Sequence, residues 1–560
     1  MRLSTDPDRD DDRSIATIAA AIVGGASILD TAPSYGLGEH DAHHNERLVA
    51  RALAAAGSDH VDVCTKGGLV REGTQWVPDG RKKAIRAACE ASREALGARA
   101  IDLYLLHTVD PATPLEVSAR ALADLLEAGL VNAVGLSNVT VGQIEEARRH
   151  VPVSVVQVAV GPYDDAALRG GVVRYCRSNG IEVHAHSPFG GPRRAARIGR
   201  DADLVAVAAM HGTTPWGAVV AYLASLGIVA LPGTRVPERA RALVEAARIE
   251  LEEAARERLA ARFGDGSAPR TTERRDGEIV LLMGMQAAGK SDQVQRWESL
   301  GYERLNRDEM GGTLRGLAKR LDERAAAGGT RFVLDNTYTT RASRAEVVRV
   351  AARHGLAVRC IFVDTPIESA QVLAVERLAE RYGELPSPEK LRALSKKDPQ
   401  AFLPTVQLRA RRELEPPSED EGFAAIERLA FERRARPWEE HPGLVVELKT
   451  WLALSTDAAT RLRDELGPHR TLVFAWKESG TVEEAIALAR DAAATSVLGN
   501  PDVALCPHQG GPPSCWCRPP LPGLVVPWLR EHAIDPRRSS LIGSHGSHQA
   551  MARALGFRAP

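Results

Sequence analysis

The stretch Glu278 to Ser291, EIVLLMGMQAAGKS, constrains this 560-residue chain more than any other. Glu278 to Met283 is an apolar run of strand length, and Gly284 to Ser291 then fits G-x-x-x-x-G-K-[ST]. Glycines at Gly284 and Gly289 let the backbone turn tightly and aim successive N–H groups at phosphate oxygens. Lys290 is placed to reach the outer phosphates and Ser291 to sit on Mg2+, with a helix N-terminus behind them. Strand, loop and helix in that order predict a phosphate-binding turn in an α/β domain.

Length alone predicts three or four domains at about 150 residues each. The hydrophobic content of 44% and charged content of 26% are those of an ordinary globular protein. No apolar run approaches the roughly 20 residues that span a bilayer, and the acidic start MRLSTDPDRDDDR is unlike a signal peptide. The expected location is the cytoplasm, with no membrane partner. A net charge of −1 supplies no global pull toward nucleic acid, so such binding requires a local surface. Cys64, Cys89, Cys176 and Cys360 lie scattered in apolar surroundings and read as core residues, whereas Cys506, Cys515 and Cys517 cluster beside His508. In a reducing compartment that cluster suggests a metal rather than a disulfide.

From residue 1 to about 265, short apolar runs alternate with Ala/Arg/Glu-rich helical stretches. Candidate strands are Ala26–Asp30, Val61–Thr65, Ile101–His107, Ala133–Ser137, Val153–Val158, Glu182–His186 and Ile228–Leu231. The alternation predicts a parallel (β/α)8 barrel, a TIM barrel whose first strand is truncated to a stub at Met1–Thr5. Barrel enzymes carry their chemistry at the carboxyl ends of the strands. There this segment places Asp30, with Tyr35 in the following loop, then Lys66 and His107. A phenol, with a reference pKa near 10, is a poor acid at neutral pH. A neighbouring ammonium favours the phenolate, a carboxylate holds the lysine, and a histidine can orient a carbonyl oxygen. The set suits carbonyl reduction with Tyr35 as general acid.

The motifs LDTAPSYG, TKGG, LLH, GLSN, HSPFGG and LPGTRVPER resemble those of the aldo-keto reductases. The resemblance implies catalysis by Asp30, Tyr35, Lys66 and His107, and a nicotinamide held by Ser137, Asn138, Gln157 and Ser187. It implies that Thr234 and Arg239 lie near an adenosine 2′-phosphate, so NADP(H) is the expected cofactor with NAD(H) left open. The usual N-terminal hairpin is missing, and Gly233 stands where a basic residue often follows the proline.

Residues 266–276 are polar, contain Pro and lack periodicity, which predicts a linker to a P-loop α/β domain over 277–435. Asp308 follows a strand-like run and could accept a hydroxyl proton, and Asp335 ends the next strand, where an acidic residue helps hold a metal. Arg377 and Arg381 lie four apart on one helical face, where positive charge could cover a transferring phosphoryl group. Between Arg377 and Arg412, nine basic residues face four acidic ones, a local surplus of +5 that could grip a nucleic-acid backbone. The segment Ile279–Arg433 resembles the kinase module of polynucleotide 5′-kinase/3′-phosphatases, with Tyr338 where that family has Asn. The resemblance implies ATP·Mg2+ on Lys290 and Ser291, Asp308 as general base on a 5′-hydroxyl of DNA or RNA, and Arg344 near the substrate. It implies a lid arginine at Arg377 or Arg381 without choosing between them. Small-molecule kinases share most of these parts.

Over 436–560, Cys506-x-His508 and Cys515-x-Cys517 supply three thiolates and an imidazole within twelve residues, a closed tetrahedral zinc set. The segment looks like a haloacid-dehalogenase-type phosphatase of the heptose-bisphosphate and histidinol-phosphate branch. It lacks a D-x-D motif, has Pro519 or Pro520 where the catalytic lysine is expected, and has Ser544 and His548 in place of metal-binding aspartates. A phosphatase fold without activity is the expectation. The whole reads as a kinase for 5′-hydroxyl ends joined to an NAD(P)H-dependent reductase of a small carbonyl compound. Two alternatives stand: a small-molecule kinase in the reductase's pathway, and a nucleotide-sensing scaffold.

Overall fold

The computed structural model describes residues 2–57, 60–98, 100–267, 273, 275–476, 481–494, 496–508 and 514–558. It divides into two compact units, Met1–Ala268 and Pro269–Pro560. Of the expected linker, positions 268–272 and 274 lie outside the described residues.

In the first unit, β1 (Ile28–Asp30) and β2 (Asp62–Gly67) precede a hairpin of β3 (Leu69–Glu72) and β4 (Gln75–Pro78). Then follow β5 (Ile101–Leu106), β6 (Val131–Ser137), β7 (Val155–Ala159), β8 (Glu182–His186) and β9 (Ile228–Leu231). All but the hairpin form one parallel sheet in the order β1-β2-β5-β6-β7-β8-β9, with helices between successive strands. This is the barrel-like parallel sheet that the alternation demands. One expectation fails. Of the stub expected at Met1–Thr5, the described residues Arg2–Thr5 form a helical turn instead of a strand. Ser4 is fully buried there and accepts hydrogen bonds from Asn45 Nδ2 (2.8 Å) and shares one with His44 Nδ1 (2.9 Å). A buried serine with two side-chain partners fixes the chain start locally, and five residues offer no alternation to compete with it.

The second unit holds two parallel sheets. β10 (Glu278–Met283), β11 (Glu303–Leu305), β12 (Arg331–Asp335), β13 (Ala357–Asp364) and β14 (Ala425–Ala430) run in the order β11-β12-β10-β13-β14. β15 (Gly443–Glu447), β16 (Arg470–Trp476), β17 (Asp502–Cys506) and β18 (Ser540–Ile542) run in the order β17-β16-β15-β18. One apolar core joins them. The helix Ile367–Tyr382 contributes Val372, Val375 and Leu378 to it, and the last segment contributes Val445, Phe474, Trp516 and Trp528. Among the described residues, no single helix is long and apolar enough to cross a membrane.

Candidate functional sites

At the carboxyl ends of the first sheet, β1 delivers Asp30 and β2 delivers Lys66. Lys66 Nζ donates to Asp30 Oδ1 (2.7 Å), to the Thr31 carbonyl (2.8 Å) and to the Tyr35 hydroxyl (3.3 Å). Gln157 Nε2, from the middle of β7, donates to the same Asp30 oxygen (2.8 Å). Burial opposes ionisation of Asp30, but Lys66 and Gln157 outweigh it and hold its carboxyl below the usual range. The same partner keeps Lys66 protonated against its own burial. Tyr35 departs from the simple expectation. Lys66 does pull its pKa down, but burial is the larger effect and carries the phenol up to about 12. His107, whose ring stands edge-on to Tyr35 at 5.7 Å, is drawn down to about 3 by burial and then by Lys66, so its imidazole is neutral.

The nicotinamide candidates converge beside this cluster. Ser137 and Gln157 are buried, and Asn138 takes the left-handed φ of +58°. Asn138 Nδ2 donates to the His107 carbonyl (3.0 Å) and to Ser137 Oγ (3.1 Å). His186, not singled out in the sequence, completes the set: Nε2 meets Asn138 Oδ1 (2.9 Å) and Nδ1 meets Ser187 Oγ (3.2 Å). Thr234 is half-buried and accepts from the Val236 amide (3.2 Å), while Arg239 is exposed. The hairpin β3–β4 was also missed. Its Trp76 stands 6.4 Å from both Tyr35 and His107, edge to face, with the Arg71 guanidinium stacked at 3.7 Å. A tryptophan in a four-residue strand gives little signal by periodicity.

In the second unit, β10 runs into the phosphate-binding turn and the helix Ser291–Ser299 follows. Gly284 has φ +152°, and a Cβ there would meet the Val363 carbonyl at 2.9 Å, so the position requires glycine. Lys290 Nζ donates to the carbonyls of Gly284 (2.9 Å) and Met285 (2.7 Å). Burial lowers its pKa to about 8; Asp335 and Asp308 pull it up and Arg377 pulls it down.

One cavity of about 1290 Å³ is lined by Gly289, Lys290, Ser291, Asp308, Asp335, Arg377 and Arg381. Asp335 accepts from Arg304 (2.9 Å) and Asn306 (3.2 Å) and so is oriented from β11's side. Asp308 is exposed and accepts from Arg307 (2.9 Å). Arg377 and Arg381 differ. Arg381 Nε donates to Asp398 (2.7 Å), which also accepts from the Tyr382 hydroxyl (2.5 Å). Arg377 has a buried Nε without a hydrogen-bond partner among the described residues. Arg381 is held by its carboxylate partner, and Arg377 faces the cavity with that nitrogen unpaired.

Arg344 is a correction. Instead of facing substrate, it is fully buried, paired with Glu421 through two hydrogen bonds (2.8 and 2.7 Å), and donates to the carbonyls of Tyr338 (3.0 Å) and Glu415 (2.9 Å). It fastens the Arg341–His354 helix to the chain entering β14. Arg381, Lys390, Arg392 and Arg409 pair with Asp398, Glu384, Glu389 and Glu413; three of these acids are already counted in the +5, so Glu413 alone, just past Arg412, lowers the local surplus to +4.

In the last segment, the ligand atoms of Cys506, His508, Cys515 and Cys517 all lie within 4.8 Å of one another. Cys506 Sγ is 3.6 Å from Cys515 Sγ and 3.4 Å from Cys517 Sγ, and His508 Nδ1 is 3.2 Å from Cys517 Sγ. Four ligands around a tetrahedral zinc, with bonds near 2.3 Å to sulfur, stand about 3.5–3.8 Å apart, so these residues fit that ion. Glu447 at the end of β15 went unremarked in the sequence. It accepts from the amides of Lys449 and Thr450 (each 3.0 Å), from Thr450 Oγ1 (3.0 Å) and from Ser544 Oγ (3.3 Å), and so serves as a helix cap.

Residues 1–261 match the model of the Aldo/keto reductase family, and residues 279–396 match that of an AAA domain. Among solved structures, the chain is similar to an aldose reductase from Giardia lamblia (22% identity, 45% of this chain and 89% of that one, TM-score 0.39). It is also similar to a glycerol dehydrogenase from Gluconobacter oxydans (24%, 47% and 89%, 0.40). A third is an aldo-keto reductase from Klebsiella pneumoniae in complex with NADPH (21%, 45% and 86%, 0.39). The first unit is thus an aldo-keto reductase domain, and a P-loop domain of the AAA type follows it in the chain.

Proposed function

We propose that the protein is a cytoplasmic bifunctional enzyme, reducing a small carbonyl compound with NADP(H) in its first unit and phosphorylating a 5′-hydroxyl polynucleotide end in its second. One observation carries the second activity: a phosphate-binding lysine, an oriented carboxylate and a guanidinium free to meet phosphate line one cavity. Phosphoryl transfer asks for little more than positioned phosphates, charge over the transferring group and a base on the nucleophile. ATP supplies the phosphoryl group when bound. Lys290 grips its outer phosphates, Ser291 and Asp335 hold Mg2+, Asp308 takes the acceptor's proton, and Arg377 covers the developing charge.

In the barrel, a bound reduced nicotinamide supplies hydride. Ser137, Asn138, Gln157 and Ser187 hold its carboxamide, and Thr234 with Arg239 holds its phosphate. Tyr35, kept protonated by burial, gives its proton to the carbonyl oxygen, and Lys66 is placed to stabilise the phenolate left behind. Neutral His107 orients that oxygen. Cys506, His508, Cys515 and Cys517 hold a structural zinc in a phosphatase-like segment without activity of its own.

A second reading is a small-molecule acceptor, because a phosphate-binding lysine, a carboxylate base and a covering arginine serve such a kinase equally well. The acceptor assay separates the two: γ-labelled ATP·Mg2+ is offered with 5′-hydroxyl DNA or RNA oligonucleotides and with free nucleosides and sugars. Label on oligonucleotides is expected. Label on the small acceptors alone assigns the second reading.

A further inference from the structure

We infer that Trp516, in the cysteine-rich loop, is a positioning residue for Arg377, so that the last segment sets the geometry of phosphoryl transfer. The inference rests on the phosphotransferase reading of the P-loop cavity. Trp516 sits between two candidate zinc ligands, Cys515 and Cys517, and is 2% exposed. Its indole leaves that loop and enters the core shared with the P-loop side of the unit. There Nε1 donates to the Phe402 carbonyl (3.0 Å), and its ring meets the Phe402 ring edge-on at 5.9 Å. The other side of the contact is Arg377, whose guanidinium lies 5.8 Å from the Phe402 ring. Phe402 and Arg377 both line the P-loop cavity.

The chain of contacts is short and each link has a direction. A zinc held by Cys506, His508, Cys515 and Cys517 would fix the backbone on both sides of Trp516. Gly523 locks it further, donating its amide to the Trp516 carbonyl (3.0 Å) where a Cβ would come within 2.5 Å. The indole then fixes the carbonyl and ring of Phe402, in a segment between the helices Pro388–Leu394 and Pro404–Glu413 whose preceding turn is closed by the Ala401 amide on the Asp398 carbonyl (3.0 Å). Phe402 in turn supports a guanidinium that has no ion pair within 4 Å among the described residues, Asp398 and Asp308 acting on it only at longer range. Arg381 does not need this support, because Asp398 grips it. Arg377 is the lid charge with freedom to be misplaced, and a misplacement of about 1 Å can slow catalysis on the order of a hundredfold. A segment lacking the residues of its own chemistry thereby keeps a role, as the wall against which the lid is set.

The test uses the full-length protein. Trp516→Ala is expected to retain its zinc, to lower kcat for ATP-dependent transfer at least about tenfold, and to leave the KM for ATP within about twofold. In an Arg377→Ala background the same substitution is expected to cost nothing further, because the group it positions is gone. Equal slowing by Trp516→Ala with and without Arg377, or an unchanged kcat, overturns the inference. Hydrogen exchange decides the coupling independently of turnover. Trp516→Ala and the zinc-site variant Cys506→Ser are each expected to raise exchange at residues 400–403 while β10 stays protected. Unchanged exchange there overturns the coupling even in a protein that transfers phosphate, whereas absence of transfer by the wild type overturns the phosphotransferase reading.

Discussion

At the residue scale, burial decides more of the chemistry than charge does. Lys66 is the pivot of the barrel site because Asp30 compensates its burial, while Lys290 has two carbonyls and more distant carboxylates, and its pKa falls to about 8. Phosphate oxygens restore the ammonium, so the nucleotide-bound lysine titrates higher than the free one. Binding is therefore undiminished below pH 8 and weakens above it, up to about tenfold per pH unit, as a proton must be taken up. Titration with a fluorescent ATP analogue from pH 6.5 to 9.5 is expected to show that break in the wild type and not in Lys290→Met. A wild-type affinity flat across the range contradicts the assignment.

The barrel gives the opposite expectation at the same scale. With His107 near 3 and Tyr35 near 12, neither group changes charge between pH 5 and 9, and carbonyl reduction is expected to be flat there. Tyr35→Phe removes the proton donor, and loss of about 10² to 10⁴ in kcat is expected from NADPH oxidation with an aldehyde panel. Retention of the wild-type rate removes Tyr35 from the role. Asp30, Tyr35, Lys66 and His107 were legible in the sequence because each ends a strand or follows one. His186 was legible only as the last residue of a candidate strand, without the partners Asn138 and Ser187, and Trp76 was not legible, since a tryptophan in a short hairpin does not announce what it packs against.

At the scale of elements, strands of the parallel sheets follow apolar runs closely, and the phosphate-binding turn sits where its glycines require. The errors are instructive. Met1–Thr5 is too short for a period, and a buried serine decides it. Arg344 stands four residues into a helix that follows a strand end rich in polar residues, a context that reads as substrate-facing; only the spatial approach of Glu421, far along the chain, reveals a staple. Removing one partner of a buried pair strands the other charge, which costs about 3–5 kcal/mol. Arg344→Ala is expected to lower the melting temperature of the second unit with the ATP KM of the remaining folded protein unchanged. An unaltered melting curve with a raised acceptor KM would restore the substrate-binding role.

At the scale of the whole molecule, the two compact units carry separate constellations of chemically capable side chains. The sequence separates three segments by motif, yet the core that joins the helix Ile367–Tyr382 to Phe474, Trp516 and Trp528 is invisible to motifs, because each contributor looks like a local apolar residue. That core makes the last segment part of the surroundings of the P-loop cavity. The most direct measurement is transfer of γ-labelled phosphate from ATP·Mg2+ to a 5′-hydroxyl oligonucleotide by the full-length protein and its Asp308→Ala variant, with NADPH-dependent reduction followed in the same samples. Transfer by the wild type, reduced at least about a hundredfold in the variant while reduction proceeds unchanged, is expected for a base acting in its own cavity. No transfer by the wild type, or equal transfer by the variant, contradicts it.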